Sequence, residues 1–141
     1  MEENKTVILV AEDEAIIRDL VKLMLLREGY VVLTAKDADE TLEISQKFTD
    51  PIHLLLLDPV MHRDGLSLAK RVREQRPEIK VMIMSGDTMT EIPENTPVVK
   101  KPFLSPTLLQ CVQRVLTSSF HGVCHEVDLR RRLKDSSPPT A

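Results

Sequence analysis

The chain has 141 residues, 42% of them hydrophobic and 29% charged, which fits one globular domain with a single core. A formal net charge of −3, with three Phe, one Tyr and no Trp, gives no general attraction to nucleic acid or anionic membrane and few platforms for base stacking. Cys111 and Cys124 are too few for a disulfide framework and no apolar run approaches membrane-spanning length, so the expected location is cytoplasmic, with no direct nucleic-acid or membrane partner.

Val7 to Val10 form an apolar run that ends in Ala11, Glu12, Asp13 and Glu14. Ile17, Leu20, Val21, Met24 and Leu25 follow at the spacing of one helix face, and Gly29 suits the position just past that helix. Val31 to Leu33 read as a second strand. Asp37 is placed to cap a helix running to about Lys47, with Glu40 three residues on and Leu42 and Ile44 on its apolar side. After the Asp50-Pro51 turn come four consecutive leucines, Leu54 to Leu57, with no polar alternation, which suits a strand buried on both faces. The chain leaves that strand at Asp58. A shorter helix carrying Leu68, Ala69 and Val72 stops before Pro77, and Val81 to Met84 form a fourth strand ending in Ser85-Gly86. Val98 and Val99 form a brief fifth strand, followed by Lys100, Lys101, Pro102 and Phe103. Ser105-Pro106 starts a last helix, with Leu109, Val112 and Leu116 toward the core.

Strands alternating with helices predict a doubly wound five-stranded parallel α/β sheet. The twelve residues from Gly86 to Pro97 are few for a crossover. Thr88 and Glu91 have the spacing of a capping box, but Pro93 limits any helix there to about a turn. This fourth crossover is therefore expected to be shortened. Residues 1–118 form the expected domain. From there to residue 141 the chain loses periodicity and is expected to be a polar, flexible C-terminal tail, too short for a DNA-binding output domain.

Each polar cluster falls at the carboxyl end of a predicted strand: Glu12 and Asp13 after the first, Asp58 after the third, Ser85 after the fourth, Lys101 after the fifth. Parallel strands bring those ends to one edge, where open α/β sheets bind ligands. Taken singly, each has a structural account as a cap, a turn or a surface charge. Together they fit a metal-assisted phosphoryl-transfer site. Clustered carboxylates need a compensating cation, and Mg2+ takes oxygen ligands. A lysine suits a phosphoryl oxygen, a serine hydroxyl donates a further bond, and a carboxylate serves as nucleophile.

Over roughly residues 5 to 117 the chain resembles the receiver domain of bacterial two-component response regulators. The resemblance rests on Glu12-Asp13, Asp58 after an apolar strand, Asp64-Gly65, Ser85-Gly86 and Lys101-Pro102-Phe103. It implies a flavodoxin-like fold and phosphorylation by a phosphohistidine on a sensor histidine kinase or a histidine phosphotransfer protein, with Mg2+. It makes Asp58 the phosphoacceptor and Asp13 the principal metal ligand. Asp58 and the Val60 backbone carbonyl would be further ligands, Glu12 would hold metal-bound water, and Ser85 and Lys101 would read the phosphoryl group. The downstream partner is unknown, and a monomer is expected.

Three positions depart from the family pattern. Pro59 directly follows Asp58, His62 stands where proline is usual, and Val98 replaces a switching aromatic. His62 has no second histidine at ligand spacing and reads as an exposed loop residue. Two alternatives stand beside the phosphorylated receiver. One is a degenerate receiver acting as a phosphorylation-independent interaction module. The other is a haloacid dehalogenase-type phosphotransferase, which expects a D-x-D motif where this chain has Glu12-Asp13.

Overall fold

The computed structural model describes residues 5–60, 65–86, 96–117 and 122–124. The leucine run forms β3 (Leu54–Leu57), buried along its length and placed between β1 (Val7–Ala11) and β4 (Lys80–Ser85). Beyond β1 lies β2 (Val31–Ala35). Beyond β4 come β5 (Val98–Lys100) and a two-residue β6 (Val123–Cys124), giving the order β2-β1-β3-β4-β5-β6. Every described pairing is parallel, with Leu9 opposite Leu55 and Leu55 opposite Val81.

Successive strand residues point to opposite faces of the sheet. Ile8, Val10, Leu54, Leu56, Met82 and Met84 pack under α1 (Ala15–Arg27) and α4 (Ser105–Thr117). Val7, Leu9, Leu55, Leu57 and Val81 pack under α2 (Ala38–Lys47) and α3 (Gly65–Gln75). A strand between two helical layers has no polar face, which is why the leucines run without alternation.

Local signals act as expected at two helix ends. The Asp37 carboxylate accepts from the Glu40 N–H at 2.8 Å, while Glu40 reaches back to the Lys36 N–H at 2.8 Å. Gly29, at φ 91°, closes α1: its N–H donates to the Leu26 carbonyl at 3.0 Å and that of Tyr30 to Leu25 at 3.3 Å. Both bonds belong to the left-handed helix stop that favours glycine.

Three expectations need correction. The stripe on α4 is Leu108, Cys111, Val112 and Val115, one residue out of phase with Leu109 and Leu116, which are only partly buried. Leu109 and Leu116 still pack against the same core, and Cys111 fills it as a small hydrophobe. On α1, Leu20 lies 50% exposed, since Val21 and Leu25 alone fill the buried positions. The stretch from 119 onward is not wholly a solvated tail, because the Val98 N–H donates to the Gly122 carbonyl at 2.8 Å and Cys124 is buried. The sheet therefore extends the expected five strands by a sixth, which satisfies an edge that β5 would otherwise expose. Met61 to Asp64, including His62, and residues 87–95, with the expected helical turn of the fourth crossover, lie outside the described residues.

Candidate functional site

The order of strands reverses between β1 and β3, the point where open α/β sheets form a crevice at their carboxyl ends. Ladder bonds continue past the strands and carry the site residues to that edge. The Glu12 N–H donates to the Ala35 carbonyl at 3.0 Å, Asp58 to Ala11 at 3.1 Å and Lys101 to Ser85 at 2.7 Å. Backbone register, rather than side-chain attraction, thus sets their positions.

The side chains then converge. Glu12, Asp13 and Asp58 offer carboxylate oxygens that all lie within 4.8 Å of one another. Lys101 Nζ donates to Glu12 Oε1 at 2.9 Å and to Asp58 Oδ2 at 2.9 Å. The other oxygen of each is also engaged, Glu12 Oε2 by the Glu14 N–H at 3.1 Å and Asp58 Oδ1 by the Val60 N–H at 3.0 Å. Glu12 and Asp58 are buried, while Asp13 is exposed and, among the described residues, its carboxylate has no hydrogen-bond or ion-pair partner.

Burial raises the Glu12 carboxyl above its ordinary range, and Asp58 adds to the rise. The Lys101 hydrogen bond, the Glu14 amide and the Lys101 charge oppose it. For Lys101, burial pulls the ammonium down, but its bonds to Glu12 and Asp58 and their charges outweigh that and raise it. Three carboxylates against one ammonium leave excess negative charge, so this donor set, all oxygen and partly open, fits a hard divalent cation.

The structure therefore brings Glu12, Asp13, Asp58 and Lys101 together. Ser85 stands at the same edge, buried, but its hydroxyl donates to the Gly86 carbonyl at 2.9 Å. Val60 turns its side chain outward, 73% exposed, beside Asp58. Val98 is buried in β5. Sequence reading missed Arg18, whose Nη1 donates to the Glu12 carbonyl at 2.9 Å; its position one helical turn after Glu14 was the available signal. It also missed a groove of about 370 Å³ beside the site, lined by Ile17, Leu20, Met24, Gly86, Lys101 and Phe103.

This edge is shared with known proteins. The family model for the response regulator receiver domain matches residues 8–113. The chain belongs to that family. It is similar to the response regulator receiver protein CpdR of Brucella abortus, at 30% identity over 79% of this chain and 98% of that protein. It is also similar to response regulator RR06 of Streptococcus pneumoniae, at 44% identity over 60% of this chain but only 39% of RR06. Among solved structures, the receiver domain of NtrX from Brucella abortus matches with TM-score 0.69 and 36% identity, covering 79% of this chain and 99% of that one.

The receiver is thus a phosphorylation-dependent signalling module of the two-component class with a flavodoxin-like fold. A haloacid dehalogenase-type enzyme and a degenerate module are not favoured. Receivers of this class bind Mg2+ at an acidic pocket and interact with sensor kinases or phosphotransfer partners. Among the described residues no helix is long and apolar enough to cross a membrane.

Proposed function

We propose that the receiver takes a phosphoryl group onto Asp58 from a phosphohistidine donor protein. The observation that carries this is the 2.9 Å contact between Lys101 Nζ and Asp58 Oδ2, one residue past β3 and beside Glu12 and Asp13. A carboxylate oxygen of Asp58 attacks phosphorus in line, the P–N bond of the phosphoimidazole breaks, and the imidazole leaves with the electron pair and takes a proton. Such a step needs positioning and compensation of charge more than covalent chemistry.

Lys101 offsets part of the charge of the buried Glu12 and Asp58 before transfer and is placed to pair with a phosphoryl oxygen afterwards. The Ser85 hydroxyl would exchange its Gly86 carbonyl for another phosphoryl oxygen. Asp13, exposed and unengaged among the described residues, Asp58 and the Val60 carbonyl would hold Mg2+ directly, and Glu12 through water. When bound, the ion offsets the charge of the carboxylates and of the incoming phosphoryl oxygens.

The donor's docking face is read on α1, where Ile16, Leu20, Leu23 and Leu26 are exposed large hydrophobics and the groove beside Lys101 continues the apolar surface. We place this receiver in the cytoplasm, working as a monomer without direct nucleic-acid contact. Its β5 edge is paired by β6, so a dimer through β5 and α4 is not expected.

The deciding experiment is intact-mass analysis after incubation with acetyl phosphate and Mg2+. The wild type should gain one phosphoryl group and Asp58→Asn none. Gain elsewhere in that variant would overturn the assignment. Light scattering with a beryllium fluoride phosphoryl mimic should show a monomer; an activated dimer lost on mutating exposed α4 residues would refute that part.

A further inference from the structure

α1 starts without the usual chemistry of a helix N-terminus. Glu14 at the N-cap makes no side-chain capping bond, and the first turn holds no acidic residue. One turn in stands Arg18, a cation near the positive end of the helix dipole, where cations are disfavoured. Its side chain turns back over the acidic segment: Nη1 donates to the Glu12 carbonyl at 2.9 Å and approaches that of Asp13 at 3.4 Å. The two hydrogens of one guanidinium nitrogen are enough for two acceptors.

Those carbonyls belong to the two peptide planes that flank the Asp13 Cα. Peptide units are rigid, so holding both planes sets the direction of the Asp13 Cα–Cβ bond. The second of these planes is also held by the Glu14 N–H on Glu12 Oε2, and Arg18 adds the hold on the first. Among the described residues the Asp13 carboxylate is exposed and has no side-chain partner, whereas Glu12 and Asp58 are anchored by Lys101 and by backbone amides.

We propose that Arg18 is a positioning residue for the divalent-cation site, clamping the backbone on both sides of Asp13 so that its carboxylate stays beside Asp58. The inference rests on reading the acidic cluster as the Mg2+ site. It makes a prediction of opposite sign to the simple electrostatic one. As a bystander cation, Arg18 repels Mg2+, and removing it would tighten binding. As a clamp, its loss weakens binding.

The test is Mg2+ titration of the full chain by calorimetry and by amide NMR shifts of Glu12 and Asp13, for wild type, Asp13→Ala, Arg18→Ala, Arg18→Gln and Arg18→Lys. Thermal unfolding identifies the variants that fold. The two neutral Arg18 variants are expected to bind Mg2+ about three- to tenfold more weakly, the scale of a lost charge-assisted hydrogen bond. Arg18→Lys, which keeps a charged donor, should fall between Arg18→Ala and wild type. Affinity equal to or tighter than wild type in whichever neutral variant folds overturns the clamp. If wild type binds Mg2+ and Asp13→Ala does not, that result leaves the site itself standing. Absence of Mg2+ binding by wild type would overturn both.

Discussion

A Cβ built on Gly65 would lie 2.6 Å from both the Cα and the carbonyl oxygen of Pro59. The Gly65 N–H also donates to that carbonyl at 3.1 Å, so the first residue of α3 closes directly on the residue after Asp58. The Pro59 backbone thus leaves room at position 65 for glycine alone. Gly65→Ala must push backbone aside and is expected to lower stability by about 1–3 kcal/mol. It should also slow Asp58 phosphorylation by acetyl phosphate. Urea unfolding together with intact-mass time courses measures both, and unchanged values would show that the loop yields freely.

Val60 is exposed and two residues beyond Asp58, with no polar atom on its side chain to hold a water in line with phosphorus. The phosphorylated receiver is expected to lose its phosphoryl group slowly without a partner. Val60→Asn supplies an amide at that place and should accelerate the loss several-fold. Following the decay of the phosphorylated mass after removal of the donor checks it, and an unchanged or slower rate in the variant counts against the role of this position.

The pairing of β6 with β5 makes residues 122–124 part of the fold. Ending the chain at His121 removes the Gly122 carbonyl from the Val98 N–H and the buried Cys124 from the core. A loss of roughly 1–3 kcal/mol is expected from the short strand pairing and one buried small side chain. The bared edge of β5 should also favour self-association. A chain ending at Cys124 should be more stable than the one ending at His121. Urea titration and light scattering on the two truncations separate the outcomes, and equal behaviour would mean that β6 contributes nothing.

Lys101 titrates above its ordinary value because its bonds to Glu12 and Asp58 outweigh burial. A cation whose pKa is raised on folding contributes stability that is full below its unfolded value, about 10.4, and is lost as pH rises through the folded value. In metal-free buffer, the stability difference between wild type and Lys101→Met should therefore be level from neutral pH to about 9.5 and shrink above about 10.5. A difference that stayed constant up to pH 11.5, or grew, would contradict the pairing.

Much of this was legible in the residues. The unalternating leucines of β3, the Asp37 cap and Gly29 in its left-handed turn are local signals, decided within one helical turn or one strand. The five expected strands end within two residues of the observed ends, β6 being missed, and parallel connectivity then carries Glu12, Asp13, Asp58, Ser85 and Lys101 to one edge. Less legible were the faces of α1 and α4. Burial there depends on which neighbour each helix leans on, so Leu108 and Val115 are buried where Leu109 and Leu116 are only partly so.

What the sequence determined by itself was the first five strands and the four helices, their parallel order and the edge on which the polar residues meet, because backbone propensity, capping and hydrophobic period act over short range. What the tertiary structure alone decided was which side chain touches which. Lys101 reaches Glu12 across 89 positions of sequence, and Ser85 turns to its neighbour's carbonyl instead of to Asp58. Arg76 leaves the end of α3 to donate to the carbonyls of Ser45, Phe48 and Asp50 around the end of α2. Such choices follow from register, helix tilt and the need to satisfy buried polar atoms. Those conditions exist only once the layers have packed.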